Sequence, residues 1–167
     1  GARRDNPDCE TSNIEVVRDI FEVATNPDID IVVELIGGTT VAYDLVMTAL
    51  KNNKHVVTAN KALIAEHGME IFAFAASKGL VVAYEAAVAG GIPIIKGLRE
   101  GLAANQINWV AGIINGTTNF ILTEMDTKGR DFNDVLVEAQ EKGYAEADPT
   151  FDVEGIDAAH KLVILAS

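Results

Sequence analysis

The stretch IVVELIGGTTVAYDLVMTALKNNKHVVTAN, residues 31–60, determines the predicted fold. It holds two short apolar segments rich in β-branched residues, Ile31–Ile36 and His55–Ala59, and the first has the pattern of a buried strand. A glycine turn at Gly37–Thr40 and a stretch with helical apolar spacing separate them. A strand, a crossover helix and a second strand of these lengths are typical of a βαβ unit in a parallel sheet. We therefore predict half of a doubly wound α/β fold.

The same alternation continues on both sides of this unit. LIAEHGMEIFAFAASKG, residues 63–79, has the apolar spacing of a helix, and LVVAY, residues 80–84, has the pattern of a third strand. On the amino side, IEVVRDIFEVATNP, residues 14–27, predicts one more helix with Pro27 near its end. Three strands and three helices are therefore expected in the first half of the chain.

A domain boundary is predicted between Tyr84 and Ala89, because the regular alternation stops there, and it divides residues 1–84 from residues 85–167. The second part holds four predicted helices and one short predicted strand. They are a helix within residues 87–106 that Pro93 opens, a strand INWVAGII at 107–114, a helix after an Asn-Gly turn at 115–129, a helix begun by Asp131 and closed by Gly143, and a helix IDAAHKLVILA at 156–166.

The amino-acid composition limits which classes of partner the protein can bind. With 167 residues and 49% hydrophobic composition, the chain can bury a sizeable core. A net charge of −12, with 13 basic residues scattered among 25 acidic ones, argues against nucleic-acid binding. A single cysteine, Cys9, excludes an internal disulfide framework and favours a cytoplasmic location. The longest uncharged run, residues 101–123, is interrupted by polar residues and does not fit a membrane helix.

The acidic stretch GYAEADPTFDVEGIDAAHK, residues 143–161, predicts a small-molecule site. Asp157 and Lys161 lie four apart in a helical pattern, so both side chains share one helix face. A solvated surface ion pair has the same spacing, but the apolar neighbours of Lys161 favour a paired lysine or one whose proton affinity is altered by burial. For Glu146 and Asp152 the alternative is a solvated acidic loop after a helix end.

Five segments together resemble the homoserine dehydrogenase family, in the order in which that family has them. They are VVELIGG at 32–38, HVVTANKALIA at 55–65, YEAAVAGGIPII at 84–95, GIINGTTNFILT at 112–123 and GYAEADPTFDVEGIDAAHKL at 143–162. The resemblance covers nearly all of the chain from about Ile29 to Ala166. It implies the nicotinamide-dependent interconversion of L-aspartate β-semialdehyde and L-homoserine, in threonine and methionine biosynthesis.

The resemblance also implies the domain organisation. Members of the family have an N-terminal Rossmann domain followed by a catalytic and dimerising domain with a mixed sheet. We therefore expect a partial Rossmann-type parallel sheet in residues 1–84 and part of an α+β substrate-binding, catalytic and dimerisation domain in residues 85–167. The glycine-rich G-x-G-x-x-G loop that binds the cofactor pyrophosphate is not found in the sequence. The expectation is a fragment with negligible turnover by itself, from a protein that is a homodimer when intact.

Catalytic and substrate-binding roles follow from the resemblance, residue by residue. Lys161 is expected to donate the proton to the carbonyl oxygen during reduction, with Asp157 orienting it or the substrate hydroxyl. Glu146 would hold the substrate amino group, and Asp152 would support the same pocket. Lys61 follows a strand at the sheet edge where α/β folds build their sites, and the resemblance places it between substrate and nicotinamide. Without the resemblance, an exposed turn lysine is the simpler interpretation.

The resemblance assigns cofactor and cation sites as well. Gly37, Gly38 and Thr39 would lie along the nicotinamide ribose, where a plain turn is the alternative, and the cofactor would be NADP or NAD. Arg3 and Arg4 would favour NADP if they follow the second Rossmann strand. A monovalent cation such as sodium would be held by carbonyl and carboxylate oxygens in the segment EAAVAGGI. The candidate ligands there are Glu85, Val88, Gly90 and Ile92.

Two rival functions remain open from the sequence. One is a binding or dimerising module that keeps the fold without cofactor binding, and the other is a Rossmann dehydrogenase of another small aldehyde or hydroxy acid. The three histidines and Cys9 have no spacing typical of a transition-metal site. No membrane or nucleic-acid partner is expected.

Overall fold

The computed structural model describes residues 12–167 and separates into two compact units, the first ending at Ile92 and the second comprising Pro93–Ser167. Arg3, Arg4 and Cys9 lie outside the described residues. No described helix is both long enough and apolar enough to cross a lipid bilayer.

The first unit is a three-stranded parallel sheet with helices between its strands. Its order is α1 Ile20–Thr25, β1 Ile31–Glu34, α2 Thr40–Lys51, β2 His55–Thr58, α3 Lys61–Ser77 and β3 Val82–Ala83, followed by a 3₁₀ turn Glu85–Ala87. The strands lie in the order β1-β2-β3, and both pairings are parallel. The predicted βαβαβ arrangement is therefore confirmed.

The register explains where the core lies. Val32, Val56 and Val82 are partners across the three strands, and all are buried. They pack with the apolar sides of α2 and α3, including Leu50 and Ile71. The burial of β1 alternates along the strand, with Val32 and Glu34 buried and Ile31 and Val33 exposed, so the buried strand that its apolar pattern predicts is covered on one face only.

Two predicted elements are shorter than expected. α1 covers only the second half of residues 14–27, because the Asp19 carboxylate accepts the amide of Phe21 at 3.0 Å and so fixes the helix start. β3 has two residues, and the amide just before it, that of Val81, donates to the side-chain Nδ1 of His55 at 3.0 Å instead of to a backbone carbonyl of β2.

A buried lysine closes the turn before β1. Lys54 is buried, and its ammonium donates to the carbonyl of Ile29 at 2.6 Å and to the carbonyl of Asn26. Both acceptors belong to the segment that leads into the sheet. Lys54 therefore anchors that segment to the end of α2.

The second unit is helical. It comprises α4 Ile94–Lys96, which continues into a π-helical turn Gly97–Gly101, then α5 Gly116–Lys128, α6 Phe132–Glu141, α7 Thr150–Val153 and α8 Ile156–Ala166. No strand forms in residues 93–167, so the predicted strand at 107–114 is wrong. A strand needs a partner for its backbone groups, and the apolar segment finds none among the described residues. The helix that Pro93 opens also ends earlier than expected.

The helices α5 and α6 enclose a small core and share an ion-pair network. Ile121, Val135 and Ala139 pack together between them. Arg130 contacts Glu124 on α5 at 3.2 Å and Glu138 on α6. A hydrogen bond from Lys142, 2.5 Å from Glu138, and a second from Arg130 lower the pKa of Glu138 from 4.5 to about 2. The predicted amphipathic helix, with Asp131 as its N-cap and Gly143 just after it, is confirmed.

Candidate functional site

A cleft of about 670 Å³ opens in the second unit, between the start of α5 and the helices α7 and α8. It combines one cation and two carboxylates with hydroxyl, amide and aromatic groups. The lining residues are Asn115, Gly116, Thr117, Asn119, Phe120, Thr123, Tyr144, Asp152, Asp157 and Lys161. Three of the residues predicted to carry the chemistry, Asp152, Asp157 and Lys161, are thus brought to one place.

Lys161 and Asp157 form an ion pair one turn apart on α8. The ammonium donates to Oδ2 of Asp157 at 2.6 Å and to the carbonyl of Ile114 at 2.5 Å. Asp157 is 7% exposed, and the side chain of Lys161 is 22% exposed. This burial does not fit a solvated surface pair. It strengthens the electrostatic interaction, because less water screens the two charges.

Asn115 connects the two carboxylates. Its amide nitrogen donates to Oδ1 of Asp152 at 2.7 Å and to Oδ2 of Asp157 at 2.8 Å. Its amide oxygen accepts the backbone N–H of Thr118 at 2.8 Å and caps α5. The backbone donor fixes which end of the amide is the oxygen, so the nitrogen must face the carboxylates. The Asn-Gly pair predicts only a turn at Asn115, and the position of this residue just before a predicted helix is the one sequence signal of the cap.

The loop between α6 and α7 carries the other acidic residues. Glu146 is exposed and does not line the cleft, although Gln140 holds its carbonyl oxygen at 3.1 Å. Asp148 accepts the hydroxyl of Thr150 at 2.6 Å and its backbone N–H at 3.1 Å. These two hydrogen bonds lower the pKa of Asp148. Asp148 therefore orders the start of α7, and Glu146 is not brought together with Asp152 within this unit.

The first unit carries the residues predicted for the cofactor. Gly37 and Gly38, after β1, have φ values of 76° and 74°, and a Cβ at either would have no atom within 4 Å. Thr39 is the N-cap residue of α2, and Lys61 is the first residue of α3. Because β1 and β2 are adjacent and parallel, both turns leave the carboxyl edge of the sheet. A ligand can approach such an exposed glycine backbone closely.

Beneath these turns is a buried polar network that sequence analysis missed. Glu34 is fully buried, and its Oε1 accepts the amides of Ile36 at 2.8 Å and Gly37 at 3.1 Å. Its Oε2 accepts the hydroxyl of Thr58 at 2.6 Å. The Asn60 amide nitrogen donates to the carbonyl of Gly38 at 2.6 Å. A glutamate inside an apolar strand was the signal that pointed to it.

The predicted cation ligands lie along an irregular segment after β3. Glu85 begins the 3₁₀ turn, Val88 is buried and Ile92 is exposed. Ala89 and Gly90 have φ values of 59° and 58°, so the backbone turns sharply between these positions. Among residues 12–167, no three His, Cys, Asp or Glu side chains are grouped to hold a metal ion.

Comparison with protein families gives two matches that together span most of the chain. Residues 2–85 match the profile described as homoserine dehydrogenase, NAD binding domain. Residues 93–167 match the profile described as homoserine dehydrogenase. The two profiles meet near the division between the two compact units.

Named relatives carry the same description. The homoserine dehydrogenase of Pseudomonas aeruginosa is 72% identical over 99% of this chain and 38% of its own length. That of Neisseria gonorrhoeae is 62% identical over 90% of this chain and 35% of its own length. The chain thus spans little more than a third of the curated relatives that it matches.

Solved structures that superpose on this chain carry the same description. A homoserine dehydrogenase from Thiobacillus denitrificans superposes with a TM-score of 0.84 at 69% identity, over 89% of this chain and 34% of that one. A hyperthermophilic archaeal homoserine dehydrogenase in complex with NADPH gives a TM-score of 0.80 at 34% identity, over 92% of this chain and 49% of that one.

Proposed function

Because this chain belongs to the homoserine dehydrogenase family, we propose that it supplies the substrate cleft and part of the nicotinamide site of an NAD(P)-dependent oxidoreductase. The reaction is the interconversion of L-aspartate 4-semialdehyde and L-homoserine. The observation that carries this proposal is the buried Lys161–Asp157 pair at the wall of the cleft, with the ammonium also held by the Ile114 carbonyl.

Lys161 suits the role of proton donor. A bound nicotinamide supplies or accepts the hydride, and the alcohol oxygen must gain or lose a proton. The Lys161 ammonium has three N–H groups, and two point to Asp157 and Ile114. The third can donate to a carbonyl oxygen in the cleft. Its positive charge also stabilises the negative charge that develops on that oxygen. Asp157 keeps the ammonium in place.

Asp152 is the best-supported anion for the substrate ammonium. It lines the cleft, and Asn115 orients its carboxylate. A cationic amino group is bound best by an ionised carboxylate in a partly dry site. Glu146 is assigned the same task by family resemblance, and reaching the cleft would require its exposed loop to move.

The cofactor assignment uses the turns of the first unit. The open backbone at Gly37 and Gly38 fits the close approach of a nucleotide, and Thr39 offers a hydroxyl beside it. Lys61 is proposed to lie between substrate and nicotinamide. Arg3 and Arg4 are proposed to favour NADP over NAD. The 1–84 and 85–167 parts would then be the cofactor and catalytic parts respectively.

Three further assignments rest on family resemblance. A monovalent cation such as sodium is proposed at Glu85, Val88, Gly90 and Ile92, supported by the sharp left-handed turn at Ala89 and Gly90. A homodimer and a cytoplasmic location are proposed for the complete protein. The rival proposal is a binding or dimerising module without turnover. It predicts the same fold as the dehydrogenase and differs only in predicting no hydride transfer.

The test replaces Lys161 in the complete polypeptide that carries these residues. Lys161→Ala should reduce kcat for NADPH oxidation with aspartate semialdehyde by about 100-fold or more, the range of one general acid. The NADPH dissociation constant should change less than threefold, about 0.6 kcal/mol. Lys128→Ala, an exposed ion-paired lysine on α5, is the matched control. An unchanged kcat with a raised KM would make Lys161 a binding residue, and no turnover in the parent protein would favour the rival role.

A further inference from the structure

Glu34 is a fully buried carboxylate that the proposed chemistry does not use. It is the last residue of β1, three positions before Gly37, where the glycine turn begins. Both of its oxygens accept hydrogen bonds, Oε1 from the amides of Ile36 and Gly37 and Oε2 from the hydroxyl of Thr58. The Thr58 hydroxyl in turn accepts the amide of Asn60 at 3.0 Å, so its own proton is available to Glu34.

The network joins two turns that belong to different strands. Glu34 holds the amides of Ile36 and Gly37, where the chain enters the glycine turn, and Thr58 is the last residue of β2. Asn60 completes the connection, because its amide nitrogen donates to the Gly38 carbonyl at 2.6 Å while its oxygen caps α3 at Leu63. Two routes therefore connect the start of α3, where Lys61 lies, to the glycine turn. One runs from Asn60 directly to the Gly38 carbonyl, and the other runs through Thr58 and Glu34 to the amide of Gly37.

Burying a carboxylate is costly unless several donors satisfy it. An apolar residue at position 34 would complete the strand without that cost, and Val32 shows that β1 accepts one. The glutamate therefore provides something that packing does not. What it provides is a fixed path for the backbone at Gly37 and Gly38, whose left-handed conformations leave that backbone with few constraints of its own.

We propose that Glu34 is a positioning residue for the nucleotide, which acts by locking the glycine turn to Thr58 and Asn60. The inference rests on the proposed function, because it assumes that a nicotinamide nucleotide lies along Gly37–Thr39. A turn held in its binding conformation loses less entropy when the ligand binds. Loss of the hydrogen bonds that hold the glycine turn to Thr58 and Asn60 should therefore weaken nucleotide affinity, in addition to any effect on folding.

The test uses Thr58→Val and Glu34→Gln in the complete polypeptide. Thr58→Val removes the donor to Glu34 and the acceptor of the Asn60 amide with almost no change in shape. Thr58→Ser keeps the hydroxyl and serves as the conservative rescue. Val46→Ala, in the core on α2, is the control for a plain loss of stability. The readouts are the NADPH dissociation constant from fluorescence titration, the melting temperature, and hydrogen exchange at the amides of Ile36 and Gly37.

Thr58→Val and Glu34→Gln should each raise the NADPH dissociation constant about tenfold, the effect of one lost charge-assisted hydrogen bond. The double variant should be little worse than either single one, because both break the same network. Exchange at the two amides should accelerate about tenfold or more with the same loss of restraint. Thr58→Ser should restore parental values, and Val46→Ala should lower only the melting temperature.

Two results would overturn the proposal, and they are distinguishable. If Thr58→Val and Glu34→Gln lower the melting temperature as Val46→Ala does but leave the dissociation constant unchanged, Glu34 serves folding alone. If Glu34→Gln does not fold, Thr58→Val decides by the same comparison. If the parent protein itself binds no NADPH, the proposed function fails and this inference fails with it.

Discussion

Replacing Asn115 tests whether the amide bridge stabilises the cleft. Asn115→Ser keeps an oxygen that can cap α5 and removes the amide nitrogen that serves Asp152 and Asp157. A hydrogen bond to a charged group contributes about 1.5–3 kcal/mol. The hydrogen bond to buried Asp157 should contribute nearly the full amount of free energy. The hydrogen bond to half-buried Asp152 should contribute less. We expect a loss of about 2–4 kcal/mol of unfolding free energy, a large share of a typical total of about 5–15 kcal/mol.

For Asn115→Asp, the loss of unfolding free energy should depend on pH. Aspartate also caps a helix, but it places a third carboxylate against the two already there. Repulsion raises its pKa in the folded state above the unfolded value of about 3.9. A raised pKa means that stability is recovered as the pH falls and is lost as it rises through the folded-state pKa. The deficit of Asn115→Asp against the parent should therefore shrink from about pH 7 to about pH 4, whereas that of Asn115→Ser should change less.

Urea unfolding followed by circular dichroism measures both variants. The exposed Asn133→Ser on α6 is the control and should stay within about 0.5 kcal/mol of the parent. If Asn115→Ser also loses no more than about 0.5 kcal/mol, the bridge contributes nothing measurable and our account of the cleft is wrong. Equal deficits for Asn115→Asp at both pH values would refute the electrostatic part alone.

Two further predictions concern stability away from the cleft. Lys54→Met should cost about 2–4 kcal/mol in urea unfolding, because two partly buried carbonyls lose a charged donor. Exposed Lys51→Met is the control, and an equal effect of both would contradict the anchoring role. Glu138 has its pKa lowered from 4.5 to about 2 by Lys142 and Arg130, so its contribution is present above about pH 4.5 and is lost as the pH falls toward 2. Unfolding of Glu138→Gln should therefore depend less on pH over that window than unfolding of the parent, and parallel curves would exclude this carboxylate as the cause.

The parallel sheet could be predicted because its signals are local. Strand and helix periodicity, the glycines after β1 and the capping residue Asp131 each depend on a few neighbouring residues. The apolar segment 107–114 has an equally strong local pattern and still forms no strand. Strand formation depends on a partner elsewhere in the chain, and local pattern cannot supply it.

The candidate site could be predicted in part for the same reason. Asp157 and Lys161 are a turn apart on one helix, so their contact follows from helix geometry. Asn115 meets Asp157 across 42 positions, and Glu34 meets Thr58 across 24. Contacts of that range follow from the tertiary fold, and the residue types alone do not reveal them. The polar residues that orient a site are therefore harder to predict than those that carry its charge.

The charge balance of the cleft bears on the choice between enzyme and assembly module. Its lining includes two carboxylates and one ammonium, which leaves one negative charge in excess among these residues. A neutral amide orients Asp152 without compensating its charge. An uncompensated charge in a partly buried place costs folding free energy, and a purely structural ion pair has no need of it. A ligand that brings its own ammonium removes that cost when it binds, so the excess charge supports the proposal that this cleft takes a cationic amino group.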